Sequence, residues 1–149
     1  MADHPVVAQI LNAYPEFADS WTSFRESDRF APEEPYNHLG QLAAHLVEAM
    51  QAANTQGFDR LFGEVERLLA VATPAMRDLL IVGLLEDLQN LSMNRNVGLD
   101  VWEPWLSGYS HEAWDMLKAL WAGEITPETF NEFVKVGRSS GEVVKPADK

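Results

Sequence analysis

The residues with the clearest capacity for chemistry lie in a polar interruption of an apolar stretch. Residues 79–91 are largely apolar, and Glu86 and Asn90 stand near the end of this stretch. Because they are four residues apart, a helix would place them side by side. In one interpretation, Glu86 acts as a general acid or base in a pocket that Asn90 and Tyr36 also line. In the other, which we favour, the Glu86 carboxylate is hydrogen-bonded within the core, because buried polar groups need partners.

Two histidines were the next candidates for chemistry. His38 and His45 are seven residues apart, which is about 10.5 Å along a helix. One metal ion needs ligands about 2 Å from itself, which a helix supplies at a spacing of three or four residues. We therefore predict no metal site and no cofactor, and we interpret both histidines as part of a solvated polar face.

The net charge is the strongest global bias. The chain carries 23 acidic and 11 basic residues, for a formal charge of −12. It lacks the basic surface on which binding to nucleic acid or anionic membranes depends, so we expect neither partner. An acidic surface attracts a cationic protein, although an excess of acids can also serve only to keep a protein soluble. The candidate partner-binding residues come from the acid-rich first half of the chain: Glu33, Glu34, Asp59 and Glu64.

Other function classes lack their signatures. The chain has no cysteine, which excludes disulfides and thiol catalysis. It has no glycine-rich phosphate loop, nucleophile elbow or dinucleotide fingerprint, so we assign no catalytic residue. The N-terminus does not resemble a secretory signal, and the longest apolar run is shorter than the roughly 20 residues that span a bilayer. We expect a cytoplasmic protein.

The elements that would position these residues are helices throughout. Apolar residues recur at helical spacing, and no useful length alternates with period two. We predict an all-α fold with a single domain over residues 1–137 and a mobile C-terminal tail over 138–149. About six to seven helices should pack as antiparallel hairpins in a layered stack like that of helical repeats. The predicted helices cover residues 5–12, 15–26, 36–53, 58–72, 74–91, 110–123 and 126–137, with one or two helical turns over 99–106.

Several boundaries depend on specific signals. Thr73 and Thr126 each precede a proline, a pattern typical of a helix start. Gly57 is expected to be left-handed, and Ser110 is expected to cap the helix that follows it. Residues 92–98 are predicted to form a loop. The predicted core brings together Phe62, Leu69, Leu80, Leu84, Leu88 and Trp114.

The tryptophans suggest either a core or a ligand box. Trp114 and Trp121 have the spacing of one buried helix face, so we interpret both as core residues. Trp102 and Trp105 flank a Glu-Pro pair in a predicted aromatic turn, and the pattern leaves open whether they are buried. An exposed tryptophan would be a protein-contact residue, since tryptophan is enriched at binding hot spots.

Three motifs together resemble a family of small bacterial all-helical proteins. They are Phe58-Asp-Arg-Leu-Phe62, Val82-Gly-Leu-Leu-Glu-Asp-Leu-Gln-Asn90, and Trp105-Leu106 with Trp114 and Trp121-Ala-Gly123. The likeness covers about residues 36–123, and Gly108-Tyr109-Ser110 departs from the Pro-x-Ser that usually precedes the tryptophan helix. The family has no assigned activity, and some similar acidic proteins accompany secreted polymorphic toxins as immunity proteins. The resemblance implies the fold and a binding role.

Two functions remain open after these arguments. The first is a non-enzymatic acidic binding protein of immunity type, which neutralises a basic, toxin-like protein. The alternative is an enzyme or small-ligand-binding protein with a cleft around Glu86 and Asn90. A deep polar pocket containing Glu86 would favour the alternative, whereas a shallow acidic surface with exposed aromatic residues would favour the first.

Overall fold

The computed structural model describes residues 3–136, which are helical with short connections and contain no strand. The all-α prediction is confirmed, and the number of helices is close to the six or seven expected. The predicted tail lies outside the described residues. The eight α-helices are α1 (Pro5–Ala13), α2 (Ala18–Arg25), α3 (Pro35–Gln51), α4 (Phe58–Val71), α5 (Pro74–Asp78), α6 (Asp87–Asn94), α7 (Gly108–Trp121) and α8 (Pro127–Val136).

Less regular helical segments join these elements. A π-helical segment, Leu79–Glu86, connects α5 to α6 without a break, so residues 74–94 form one rod that we call the long helix. Short 3-10 helices cover Pro15–Phe17 and Leu99–Trp105. The long helix continues to Asn94, so the loop predicted over residues 92–98 begins later than expected.

The local signals account for most helix ends. The Thr73 hydroxyl accepts a hydrogen bond from the Met76 amide at 3.2 Å, and Gly57 has a φ of +86° just before α4. The predicted cap at Ser110 is wrong, because Ser107 is the capping residue of α7. Ser110 lies inside the first turn, where its hydroxyl oxygen accepts from the Ser107 amide at 3.1 Å. The two serines therefore form a reciprocal capping box.

The long helix is the centre of the packing, and α3 lies along it. Tyr36 and Leu39 face Gly83, Gly40 faces Asp87, and Glu48 approaches Arg95. Residue numbers rise together along this contact, so α3 and the long helix are parallel.

The helix between them in sequence, α4, makes its main contacts with α1 and α7. The order of neighbours therefore differs from the expected stack of successive hairpins. The ring of Tyr14 lies between the two helices, with its centroid 5.7 Å from that of His45 on α3 and 6.3 Å from that of Phe58 on α4. This ring is buried and contacts an aromatic residue of each helix.

One continuous apolar core runs through these layers. It includes all six residues of the predicted core, Phe62, Leu69, Leu80, Leu84, Leu88 and Trp114. Among the described helices, none is long and apolar enough to cross a membrane.

Candidate functional site

A cleft of about 520 Å³ opens where α3, α6 and the connection after α2 meet. It exists because the parallel packing of α3 on the long helix brings the middle of α3 beside the first turn of α6. Its walls carry one positively charged side chain, one negatively charged side chain, three side-chain amides and several apolar groups. The lining residues are Phe24, Arg29, Asn37, Gly40, Gln41, Ala44, Asp87, Asn90 and Leu91.

Asp87 is the half-buried acid of this cleft. A Cβ atom on Gly40 would lie 2.9 Å from an oxygen of its carboxylate, so the glycine makes room for the acid. Burial raises the pKa of Asp87, because removal from water disfavours the charged form. Within residues 3–136, no cation or hydrogen-bond donor pairs with this carboxylate.

The structure does not bring the three predicted pocket residues together. Asn90 lines the cleft, but Tyr36 and Glu86 do not. The Tyr36 hydroxyl donates to the Asp78 carboxylate, and this hydrogen bond, followed by burial and the charge of Asp78, raises the pKa of Tyr36 to about 12. Of the three cavities described here within residues 3–136, none is lined by Tyr36 or Glu86.

Glu86 itself is half-buried beside other acids. Burial, and then the charges of Asp87 and Asp78, raise the pKa of Glu86 above its usual value. No hydrogen bond reaches its carboxylate within the described part of the chain. The interpretation that it is hydrogen-bonded within the core is wrong, because this side chain faces other acids instead of donors.

The four predicted partner-binding acids fall into two pairs. Glu33 and Glu34 are exposed just before α3, whereas Asp59 and Glu64 lie on α4. The seventeen residues of α3 span about 25 Å, and α4 begins beyond its far end, so Asp59 is remote from the first pair. Glu64 is ion-paired with Arg67.

Glu33 and Glu34 instead lie directly before α3, and we group them with the acids around Tyr36 as the acidic edge. Tyr36 follows them in the first turn of α3 and remains 43% exposed. Tyr36 binds Asp78 of α5, and Asp78 lies close enough to Glu86 to raise its pKa. The acidic edge comprises Glu33, Glu34, Tyr36, Asp78 and Glu86.

A comparison with protein families assigns the chain to one of them. A family described as "Domain of unknown function (DUF7674)" matches residues 7–122. The chain belongs to this family. No curated protein and no solved structure matches it.

The match identifies the family of the chain, but this family has no assigned activity. The expected resemblance to a family without an assigned activity is confirmed to that extent, over a longer stretch than residues 36–123. The cleft and the acidic edge both lie within the DUF7674 match, whereas α8 follows it.

His38 and His45 of the DUF7674 domain are not on a solvated face, so that interpretation is wrong. His38 is only 2% exposed and stacks on Phe30 at 4.9 Å, and its Nε2 atom bonds the Ala31 carbonyl at 2.8 Å. His45 is half-buried, with Nε2 at 3.2 Å from the Tyr14 hydroxyl and Nδ1 at 3.1 Å from that of Ser20.

A small cavity of about 300 Å³ adjoins His45, with Glu16 and Glu48 among its lining residues. Burial lowers the pKa of His45, against the smaller opposing effects of those two acids. Sequence reasoning missed this cluster because Tyr14 and Ser20 are remote from His45 along the chain.

The tryptophans divide between the core and the surface. Trp102 is fully buried and donates to the Ser92 hydroxyl at 2.9 Å, while Trp105 is half-buried against Phe58 at a centroid distance of 5.2 Å. Trp114 is buried as expected. Trp121 is 47% exposed, so its interpretation as a core residue is wrong. It lies in the last turn of α7, where fewer elements cover it.

Another cavity, of about 670 Å³, lies at the start of α7 and was not predicted from the sequence. His111 and Asp115 line it, with their ring nitrogen and carboxylate oxygen 3.3 Å apart. Among residues 3–136, no group of three or more histidine, aspartate or glutamate side chains could hold a metal ion.

Proposed function

We propose that this protein binds a basic protein partner through the acidic edge, as an immunity protein does when it neutralises a toxin. One observation carries the proposal: the carboxylates of this edge have no cationic partner within the described part of the chain. Elsewhere, by contrast, Arg25, Arg60, Arg67 and Arg95 each pair with an acid.

The electrostatics of the edge favour a cation from outside. Glu86 is half-buried next to Asp78 and Asp87, and its pKa is raised first by burial and then by these two negative charges. An arginine or lysine of a partner would relieve the repulsion. The exposed ring of Tyr36 offers apolar contact beside these charges, and tyrosine is enriched at binding hot spots.

The test measures association rates with a basic protein encoded by a toxin-like gene next to the gene for this chain. Charge reversal by Glu33→Lys with Glu34→Lys should slow association by about 10-fold, because complementary charge acts mainly on the on-rate. Rising salt should slow association of the unchanged protein for the same reason. The variant should melt within about 2 °C of the unchanged protein, because exposed charges contribute little to stability.

The matched control is Asp100→Lys with Glu124→Lys, which changes the net charge equally at two exposed positions away from the edge. A third variant, Asp59→Lys, tests whether the contact extends to α4. The proposal fails if the partner does not bind, if association is independent of salt, or if the control slows binding as much as the charge reversal at Glu33 and Glu34.

A further inference from the structure

Two opposite charges without ionic partners face the same cleft. Arg29 lies in the connection between α2 and α3, with its guanidinium carbon 5.4 Å from the centre of the Phe24 ring. No carboxylate within residues 3–136 pairs with it, although the chain has a large excess of acids. Asp87, on the α6 wall, is the second unpaired charge of this cleft.

A ligand with only a positive or only a negative charge would not suit both of these residues. An anion would gain from Arg29 but would be repelled by Asp87, and a simple cation would meet the reverse. A ligand with one positive and one negative group satisfies both residues at once. Asp87 is half-buried, and such a charge is costly without a partner, whereas Arg29 is exposed and reaches the cleft from its rim.

The rest of the lining fits the body of such a ligand. Asn37, Gln41 and Asn90 supply side-chain amides, each able to donate and to accept hydrogen bonds. Phe24 and Leu91 provide apolar contact for a side chain. The volume of about 520 Å³ is within the range typical of small-molecule sites.

We propose that this cleft binds a small zwitterion with one free ammonium and one free carboxylate, either an apolar α-amino acid or a dipeptide. The carboxylate pairs with the Arg29 guanidinium, which can bind it through two parallel hydrogen bonds. The ammonium pairs with Asp87, and the amides of α3 and α6 bind the remaining polar atoms. The cleft adjoins the acidic edge, since the Asn37 side-chain amide donates to the Glu34 carboxylate at 2.6 Å, but this proposal does not depend on the function proposed for that edge.

The test is calorimetric titration of the full chain with four probes: leucine, leucyl-leucine, leucinamide and N-acetyl-leucine. Leucinamide lacks the carboxylate, and N-acetyl-leucine lacks the ammonium. Leucine or leucyl-leucine should bind saturably. Whichever binds more tightly shows whether the ligand is an amino acid or a dipeptide. Both single-charge probes should bind at least about 10-fold more weakly, which corresponds to about 1.4 kcal/mol.

Two variants assign the charges to residues. Arg29→Met should bind leucine no better than leucinamide, and Asp87→Asn should bind leucine no better than N-acetyl-leucine. The matched controls are Arg95→Met and Asp100→Asn, which remove the same charges outside the cleft. Circular dichroism verifies that each variant is folded. The proposal is overturned if neither leucine nor leucyl-leucine binds with a dissociation constant below 10 mM (roughly −3 kcal/mol). It is also overturned if leucinamide binds the unchanged protein as tightly as leucine does, or if Arg29→Met still prefers leucine to leucinamide as strongly as the unchanged protein does.

Discussion

The charge of Glu86 opposes folding at neutral pH. Its carboxylate is half-buried, receives no hydrogen bond within residues 3–136 and lies near Asp78 and Asp87. Its pKa in the folded protein is therefore above the unfolded value of 4.5. The unfolded chain binds fewer protons between these two pKa values, so this group lowers stability as pH rises through that window.

We therefore expect Glu86→Gln to stabilise the protein at pH 7 by about 0.5 kcal/mol, a modest gain because solvent screens a half-exposed charge. Thermal melting should rise by about 1–2 °C at pH 7, and the gain should disappear as pH falls below 4.5. Glu128→Gln, at an exposed position on α8, is the control. A loss of stability at pH 7 would mean that Glu86 has a favourable partner in solution.

The sequence indicated the right region but the wrong acid for the cleft. Glu86 and Asp87 are adjacent, and helical spacing alone gives neither of them a neighbour outside its own helix. The choice depends on how α3 is aligned along the long helix, where Gly40 admits the Asp87 carboxylate. Such an alignment is decided by side-chain packing between remote segments, so no local pattern predicts it.

The individual helices could be predicted from the sequence, whereas the contacts between helices mostly could not. The stripe of Phe58, Leu61 and Val65 predicts α4 because burial on one face repeats with the helical period. The position of α7 also depends on a distant residue. The carboxylate of Glu66, on α4, accepts hydrogen bonds from the Tyr109 and Ser110 amides at 2.7 and 2.8 Å. This carboxylate binds the unpaired amides at the helix start, where negative charge is favoured.

Gly108 is essential to this start of α7. Its φ is +50°, and a Cβ atom there would overlap a carboxylate oxygen of Glu66. Gly108→Ala should lower the free energy of unfolding by about 1–2 kcal/mol from the left-handed backbone alone. Gly63→Ala is the matched control, because Gly63 lies within α4 with open space around it. That control should gain about 0.5–1 kcal/mol.

Urea unfolding followed by circular dichroism measures both changes. Opposite shifts of the two midpoints, with unchanged slopes, would support this description of the α7 start. An unchanged midpoint for Gly108→Ala would contradict it, because it would mean that residue 108 is not held in the left-handed conformation in solution.

In the whole molecule, the side chain of Arg77 joins the end of α8 to the rest of the domain. It follows the family match, which ends at residue 122, and its main contacts are with α5 and α7. Arg77 of α5 donates to the Val134 carbonyl at 2.8 Å, to the Lys135 carbonyl, and to the Ala72 carbonyl at 2.7 Å. A positive charge at the carboxyl end of a helix is favourable, and it satisfies carbonyls that have no partner within the helix.

Arg77→Met keeps the apolar stem of this side chain but removes all three donations. Hydrogen exchange over residues 127–136 should become about 10-fold faster, which corresponds to about 1.4 kcal/mol of lost local stability. The amides of α3 should change much less, because α8 packs mainly on α5 and α7. Arg95→Met is the control, since Arg95 reaches Glu48 only at 3.9 Å and is exposed. An equal increase in every helix would mean instead that α8 unfolds only together with the rest of the domain.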